Sequence, residues 1–303
     1  MHIKIKGHQN FTQKAISNAG SSFIQFPVTR IVIALLFIAP AVAFHNVLAI
    51  TVLEKVSGLA GDIIYFIETL LFILFISFLN RIYTRVIEGR KSLEFDFKGG
   101  FKEFSTGAAV GATLVTVMII LLVLCRFYSI EKVNKPYILL YGVFRYGSGA
   151  FLEEVIFTII TYKLVEELIG TKWSVILVSL LFGLAHTGND NISLQNLLLM
   201  SLSHVLVIAS YIFTRRIWMI WAIHFSWNYF QTAIFGLSNS GMAQGGFITP
   251  VLSGPDWFTG GGYGIEASYI SVTLNLIAGL LILWQAVKSG QTINPLWIRN
   301  KVK

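Results

Sequence analysis

The sequence predicts an all-α, polytopic membrane bundle of about eight transmembrane helices with both termini cytoplasmic. Of its 303 residues, 55% are hydrophobic and only 13% charged, with a mean hydropathy of +0.70. An ordinary soluble domain carries roughly 25% charged residues. Apolar runs recur along the chain at about the 20-residue length that a helix needs to cross the hydrocarbon core. Lysine and arginine gather in alternate connecting segments, the pattern that orients a membrane protein.

The first residues, MHIKIKGHQNFTQKAISNAGSSFIQ, are polar and basic without a continuous apolar core. They read as a cytoplasmic tail, residues 1–27, and not as a cleaved signal peptide. One membrane domain, 28–290, follows, with expected spans at 31–53, 60–80, 106–128, 137–163, 173–188, 194–214, 217–236 and 268–287. Residues 291–303 form a second cytoplasmic tail. Eighteen of the 23 lysines and arginines fall on the side of the N-terminus, four (Lys55, Arg126, Lys132, Lys135) on the other, and Arg145 within a span.

Between the second and third spans, RKSLEFDFKGGFKEFSTG alternates phenylalanines 95, 97, 101 and 104 with charges, which suits the membrane interface. Gly107 and Gly111, four apart, predict a close helix contact. The glycine-rich stretch 236–267 reads as a long outward loop, a lid or a link. No internal repeat points to a transporter built from inverted halves.

The net charge of +8 is mostly a topology signal, and no basic soluble domain exists to bind nucleic acid. The single cysteine, Cys125, has no partner for an intramolecular disulfide.

Polar residues inside spans are costly and mark function by default. The stretch GAFLEEVIF places Glu153 and Glu154 at about half depth, and neighbours on a helix point about 100° apart, so both are expected to face an interior cavity. LLFGLAH ends the fifth span with His186, four residues after Phe182. HFSWN in the seventh places His224 and Asn228 four apart on one helical face. Together they supply what peptide-bond hydrolysis requires: a carboxylate to take a proton from water, an imidazole to orient that water, and donors for an oxyanion. Other polar residues have plainer readings. His204 reads as a hydrogen-bonded structural histidine, His45 and Glu68 as a pair across the first two spans, and Glu166 and Glu167 as solvated near the cytoplasmic surface.

These motifs, EEVIFT from Glu153, FGLAH from Phe182 and HFSWN from His224, resemble the CAAX prenyl protease 2-like (CPBP, or Abi) intramembrane proteases. The resemblance covers a protease-like core at about residues 100–235. It implies a membrane endopeptidase acting on a membrane-associated protein or peptide, prenylated CAAX proteins being one such class. It assigns Glu153 as the base that activates water with His186, and His224 and Asn228 as the oxyanion site. Glu154 then tunes the pair or protonates the leaving amine, and Phe182 packs. The chain departs from the family where Thr158 replaces an arginine. Arg145, eight residues before Glu153, lies about 80° around the same helix, poorly placed to replace that cation.

The family's metalloprotease label leaves a zinc ion with an open water position as one cofactor reading, beside a metal-free glutamate mechanism. A catalytically impaired member that binds peptide, as an immunity or scaffold protein, is the alternative that Thr158 suggests. Compact size and charge pattern suit a bacterial plasma membrane.

Overall fold

Residue order already separates this chain into long apolar rods joined by short polar turns, and the computed structural model, which describes residues 23–48 and 58–299, bears out a mostly helical membrane protein. The expected tail 1–27 lies largely outside the described residues, as do Lys55 and the last four residues of the tail 291–303. The helices are α1 (Pro27–Leu48), α2 (Gly58–Val86), α3 (Gly100–Leu124), α4 (Tyr137–Glu153), α5 (Lys163–Leu184), α6 (Leu194–Thr214), α7 (Ile217–Asn228), the short α8 (Asp256–Thr259), α9 (Tyr269–Lys288) and the short α10 (Leu296–Arg299).

Among the described residues, six helical runs are long and apolar enough to cross a membrane. The sequence had suggested about eight, and two features account for the difference. The expected spans 137–163 and 173–188 form a single 48-residue run, Tyr137–Leu184. Gly170 breaks it, with φ 77° and ψ 165°, and a Cβ there would stand 2.7 Å from Pro295. The expected span 217–236 is divided between a 12-residue α-helix, α7, and a π-helical turn, Tyr229–Ile234.

Small residues let the rods touch. A Cβ on Gly107 would lie 2.4 Å from the Met219 carbonyl oxygen, and one on Gly111 would lie 2.2 Å from Ser226 Oγ, so the predicted glycine contact is the α3–α7 crossing. Around it a buried core runs from Ile38 and Ile76 through Phe151, Val155 and Ile159 to Ile208, Tyr211 and Ile220.

The long loop was expected to be a lid or link, and it is more ordered than that. Its strand β2 (Ile248–Leu252) pairs antiparallel with β1 (Tyr128–Val133), Tyr128 opposite Leu252 and Val133 opposite Ile248, with an irregularity between Ile130 and Lys132. Apolar Ile130, Val133 and Ile248 gave no clear alternation against their helical surroundings, so this ribbon was missed in the sequence.

The opposite end of the bundle is ionic. Lys163 reaches Glu88 at 3.0 Å and Glu94 at 3.4 Å, and Arg90 pairs with both acids. Burial alone would push the Glu88 carboxyl up, but the charges of Lys163 and Arg90 hold it below its usual range. Arg30 pairs with Glu167, and Arg216 with Glu103. Glu166 and Glu167 are therefore not solvated as expected. Glu166 is 1% exposed and takes hydrogen bonds from Tyr162 Oη at 3.0 Å, Thr171 Oγ1 at 2.6 Å and Arg215 Nη2 at 3.1 Å. In the 95–104 segment, Phe97 and Phe101 are exposed as an interfacial reading requires, whereas Phe95 is buried against Phe151. His45 and Glu68 do pair, at 2.5 Å.

Candidate active site

A change of helical pitch sits at the glutamate pair. Helix α4 ends at Glu153, and Glu154 opens a nine-residue π-helical stretch to Tyr162 before α5 begins. An inserted π turn widens the helix and re-aims its side chains, a feature frequent at functional sites. The two glutamates consequently meet different surroundings. The Glu153 side chain is 36% exposed and lines a cavity of about 530 Å³, whereas the Glu154 side chain is 0% exposed and lies behind it.

Glu154 is held from two sides. Thr158 Oγ1, one turn on, donates to its Oε2 at 2.7 Å, and His224 Nδ1 meets its Oε1 at 2.8 Å. At the position where the resemblance expects an arginine, Thr158 thus touches the glutamate pair through a neutral hydroxyl. Arg145 contributes nothing there, because its Nε donates to Gln244 Oε1 at 2.7 Å.

Glu153 instead looks across the cavity at two imidazoles. Its Oε2 is 3.7 Å from His224 Nε2 and 4.0 Å from His186 Nε2. His186 follows directly on the end of α5, where its Nδ1 lies 2.8 Å from the Phe182 carbonyl oxygen. A carbonyl can only accept, so Nδ1 carries a proton, and in the neutral ring Nε2 then presents a lone pair to the cavity. Asn228, one turn beyond His224, also lines the cavity.

Phe182 is the packing centre of the site. Its ring stacks on His204 at 3.9 Å with 1° between planes, and meets His186 at 4.9 Å and Phe157 at 5.2 Å. His204 is 4% exposed and lines the same cavity, and among the described residues neither ring nitrogen has the hydrogen-bond partner expected of it.

The sequence reading missed one contributor to this cavity and left two others outside the catalytic set. Gln244, which was missed, reaches in from the 236–267 segment and takes hydrogen bonds from Arg145 and Tyr146. Glu266, in the same segment, accepts from the Ser240 backbone N–H and from Gln231 Nε2, and burial pushes its carboxyl up to about 7. Arg145, a costly cation inside a span and a poor substitute for the missing arginine, also lines the cavity.

The donor set bears on zinc. Bonds of about 2.0–2.1 Å in tetrahedral geometry put ligand atoms roughly 3.3 Å apart. The Glu153 and His nitrogen separations of 3.7 and 4.0 Å are wider, and among the described residues no three His, Cys, Asp or Glu side chains are grouped so as to hold a metal ion. A water donating to both atoms at about 2.8 Å would set them roughly 4.5 Å apart, so the separations lie between the two spacings.

Residues 134–230 match the family model described as type II CAAX prenyl endopeptidase Rce1-like. The matched stretch contains Glu153, Glu154, Thr158, His186, His224 and Asn228, and it supports the CAAX protease family resemblance read from the three motifs. No curated protein and no solved structure matches the chain.

Proposed function

We propose that this membrane protein is an intramembrane endopeptidase that hydrolyses a peptide bond in a membrane-associated protein or peptide, using a water activated by Glu153 and His186. The observation that carries this reading is the convergence of Glu153 Oε2 with the Nε2 atoms of His186 and His224 in one cavity, at 4.0 and 3.7 Å.

A water between Glu153 and His186 Nε2 donates one hydrogen bond to each. Glu153 takes its proton as the oxygen attacks the substrate carbonyl. The carbonyl oxygen then becomes an oxyanion, met by N–H groups of His224 and Asn228. A proton is shared between Glu154 and His224 Nδ1. With Glu154 protonated and donating to Nδ1, the neutral imidazole carries its N–H at Nε2, and with Glu154 ionised the imidazolium carries both, so in either state an N–H is directed toward the cavity. Collapse of the tetrahedral intermediate breaks the C–N bond, and Glu153 passes its proton to the departing amine. Glu154 thereby acts as a positioning residue, and Thr158 holds its second oxygen.

The family match makes a prenylated CAAX-type protein one candidate substrate. The hydrogen bond from Thr158 to Glu154 supports an intact site over a catalytically impaired binding protein. The 48-residue run would extend roughly 72 Å as one helix, more than twice the hydrocarbon thickness, so the break at Gly170 favours two crossings, and α7 with its π-helical continuation makes eight in all. The concentration of Arg30, Arg90, Lys163, Arg215 and Arg216 at one end favours a cytoplasmic placement for it, with both termini on that side and the bacterial plasma membrane as the fitting location.

Purified protein incubated with a membrane peptide library tests the reading. Cleavage products from the wild type and none from Glu153→Gln are expected. Equal cleavage by the two, with both folded, overturns it.

A further inference from the structure

Arg145 stands on α4 two turns before Glu153 and lines the same cavity. Its guanidinium makes hydrogen bonds to neutral oxygens: Nε to Gln244 Oε1 at 2.7 Å and Nη1 to the Tyr141 hydroxyl at 3.4 Å. Tyr146 Oη donates to that same Gln244 oxygen at 2.9 Å. The cations at the other end of the bundle behave differently. Arg30, Arg90, Lys163, Arg215 and Arg216 each meet a carboxylate. Among the described residues no carboxylate forms an ion pair with Arg145.

A guanidinium at membrane depth is expensive to keep without an anion, and such residues line substrate paths. It has five N–H donors in a planar fork, a shape that matches the two oxygens of a carboxylate. Gln244 Oε1 shows where one acceptor oxygen sits beside the fork, which lines the cavity that Glu153 also lines. We infer that Arg145 is the binding site for a carboxylate carried by the substrate.

Its place on the helix sets where on the substrate that carboxylate lies. Eight helical residues separate Arg145 from Glu153, a rise of roughly 12 Å. An extended peptide advances about 3.3 Å per residue. The carboxylate therefore lies three to four residues from the bond that faces Glu153. A chain terminus or an aspartate or glutamate side chain supplies the same group. The term substrate rests on the endopeptidase reading, whereas the carboxylate site itself needs no catalysis.

Binding tests this separately from cleavage. The probe is a dansyl-labelled apolar heptapeptide in three forms: free C-terminal acid, C-terminal amide, and amide with one internal glutamate. Affinity is read by anisotropy on the full chain in detergent, carrying Glu153→Gln so that no peptide is consumed. At least one acidic form is expected to bind roughly tenfold tighter than the neutral amide, and which one does so identifies the source of the carboxylate. Arg145→Gln removes that preference and Arg145→Lys keeps part of it, while binding of the neutral amide reports that each variant is folded. Equal affinity for all three forms, or an acid preference that survives Arg145→Gln, overturns the inference. Should the Glu153 parent cleave none of the peptides while the Arg145-dependent preference holds, the proteolytic reading fails and the carboxylate site stands.

Discussion

The two ends of this bundle both bury carboxylates, and they treat them in opposite ways. At the ionic end, Glu88, Glu94 and Glu166 are closed off by Lys163, Arg90 and Arg215, with side-chain exposures of 3%, 0% and 1%. In the cavity, among the described residues, no lysine or arginine pairs with Glu153. It faces two imidazoles at 3.7 and 4.0 Å, with 36% of its side chain open. A carboxylate answered by arginine or lysine has its charge fixed and serves the fold. One answered by histidines and open space can exchange a proton, and serves chemistry.

Substitutions at the two ends sharpen the contrast, and the largest expected effect is on rate. Glu153→Gln preserves shape and removes the base, so cleavage should fall by about 10²–10⁴-fold, measured on purified protein, with thermal stability unchanged. At the ionic end the order reverses. Arg215→Met leaves Glu166 buried without its cation and should cost roughly 3–5 kcal/mol of stability, seen as a lowered melting temperature and reduced accumulation in the membrane. Should Arg215→Met leave stability intact, the ionic end would lose its structural assignment.

Thr158→Val removes the hydroxyl that holds Glu154 while nearly keeping its volume. About a tenfold loss of rate is expected, with Thr158→Ser close to wild type. An unchanged rate in the valine variant would separate Thr158 from the site.

Much of this contrast could not be read from the sequence. Helical class, membrane character and the three chemical motifs were legible because apolar runs and intramembrane polar residues are rare and costly patterns. The division of labour between Glu153 and Glu154 was not, because it depends on the π turn, which shifts side-chain direction away from the 100° step assumed for an α-helix. Glu166 was misread for a related reason. Its partner Arg215 is 49 residues away, and nothing local announces the pair. The ribbon of β1 and β2, whose strands lie over a hundred residues apart, and the reach of Gln244 into the cavity are likewise products of long-range contact.

Smaller effects concern the segment that borders the cavity. Glu266 has a carboxyl raised to about 7 by burial, against roughly 4.3 in an unfolded chain. Its protonated form is favoured by the fold, so its contribution to stability is full below about pH 4.3 and lost as pH rises through about 7. The melting temperature of wild type should therefore decline between pH 5 and 8 more than that of Glu266→Gln. Parallel curves would place the titration elsewhere. A chelator such as 1,10-phenanthroline should leave cleavage unchanged, and a loss that added zinc restores would contradict the metal-free glutamate mechanism.

The central claim, that Glu153, open to the cavity, activates water while the fully buried, cation-paired acids elsewhere only hold the fold, is tested most directly by cleavage and melting curves measured together on wild type, Glu153→Gln and Arg215→Met. The account predicts a Glu153 variant that melts like wild type and does not cleave, and an Arg215 variant that melts early and cleaves in proportion to the folded protein remaining. A Glu153 variant that still cleaves at the wild-type rate would contradict it.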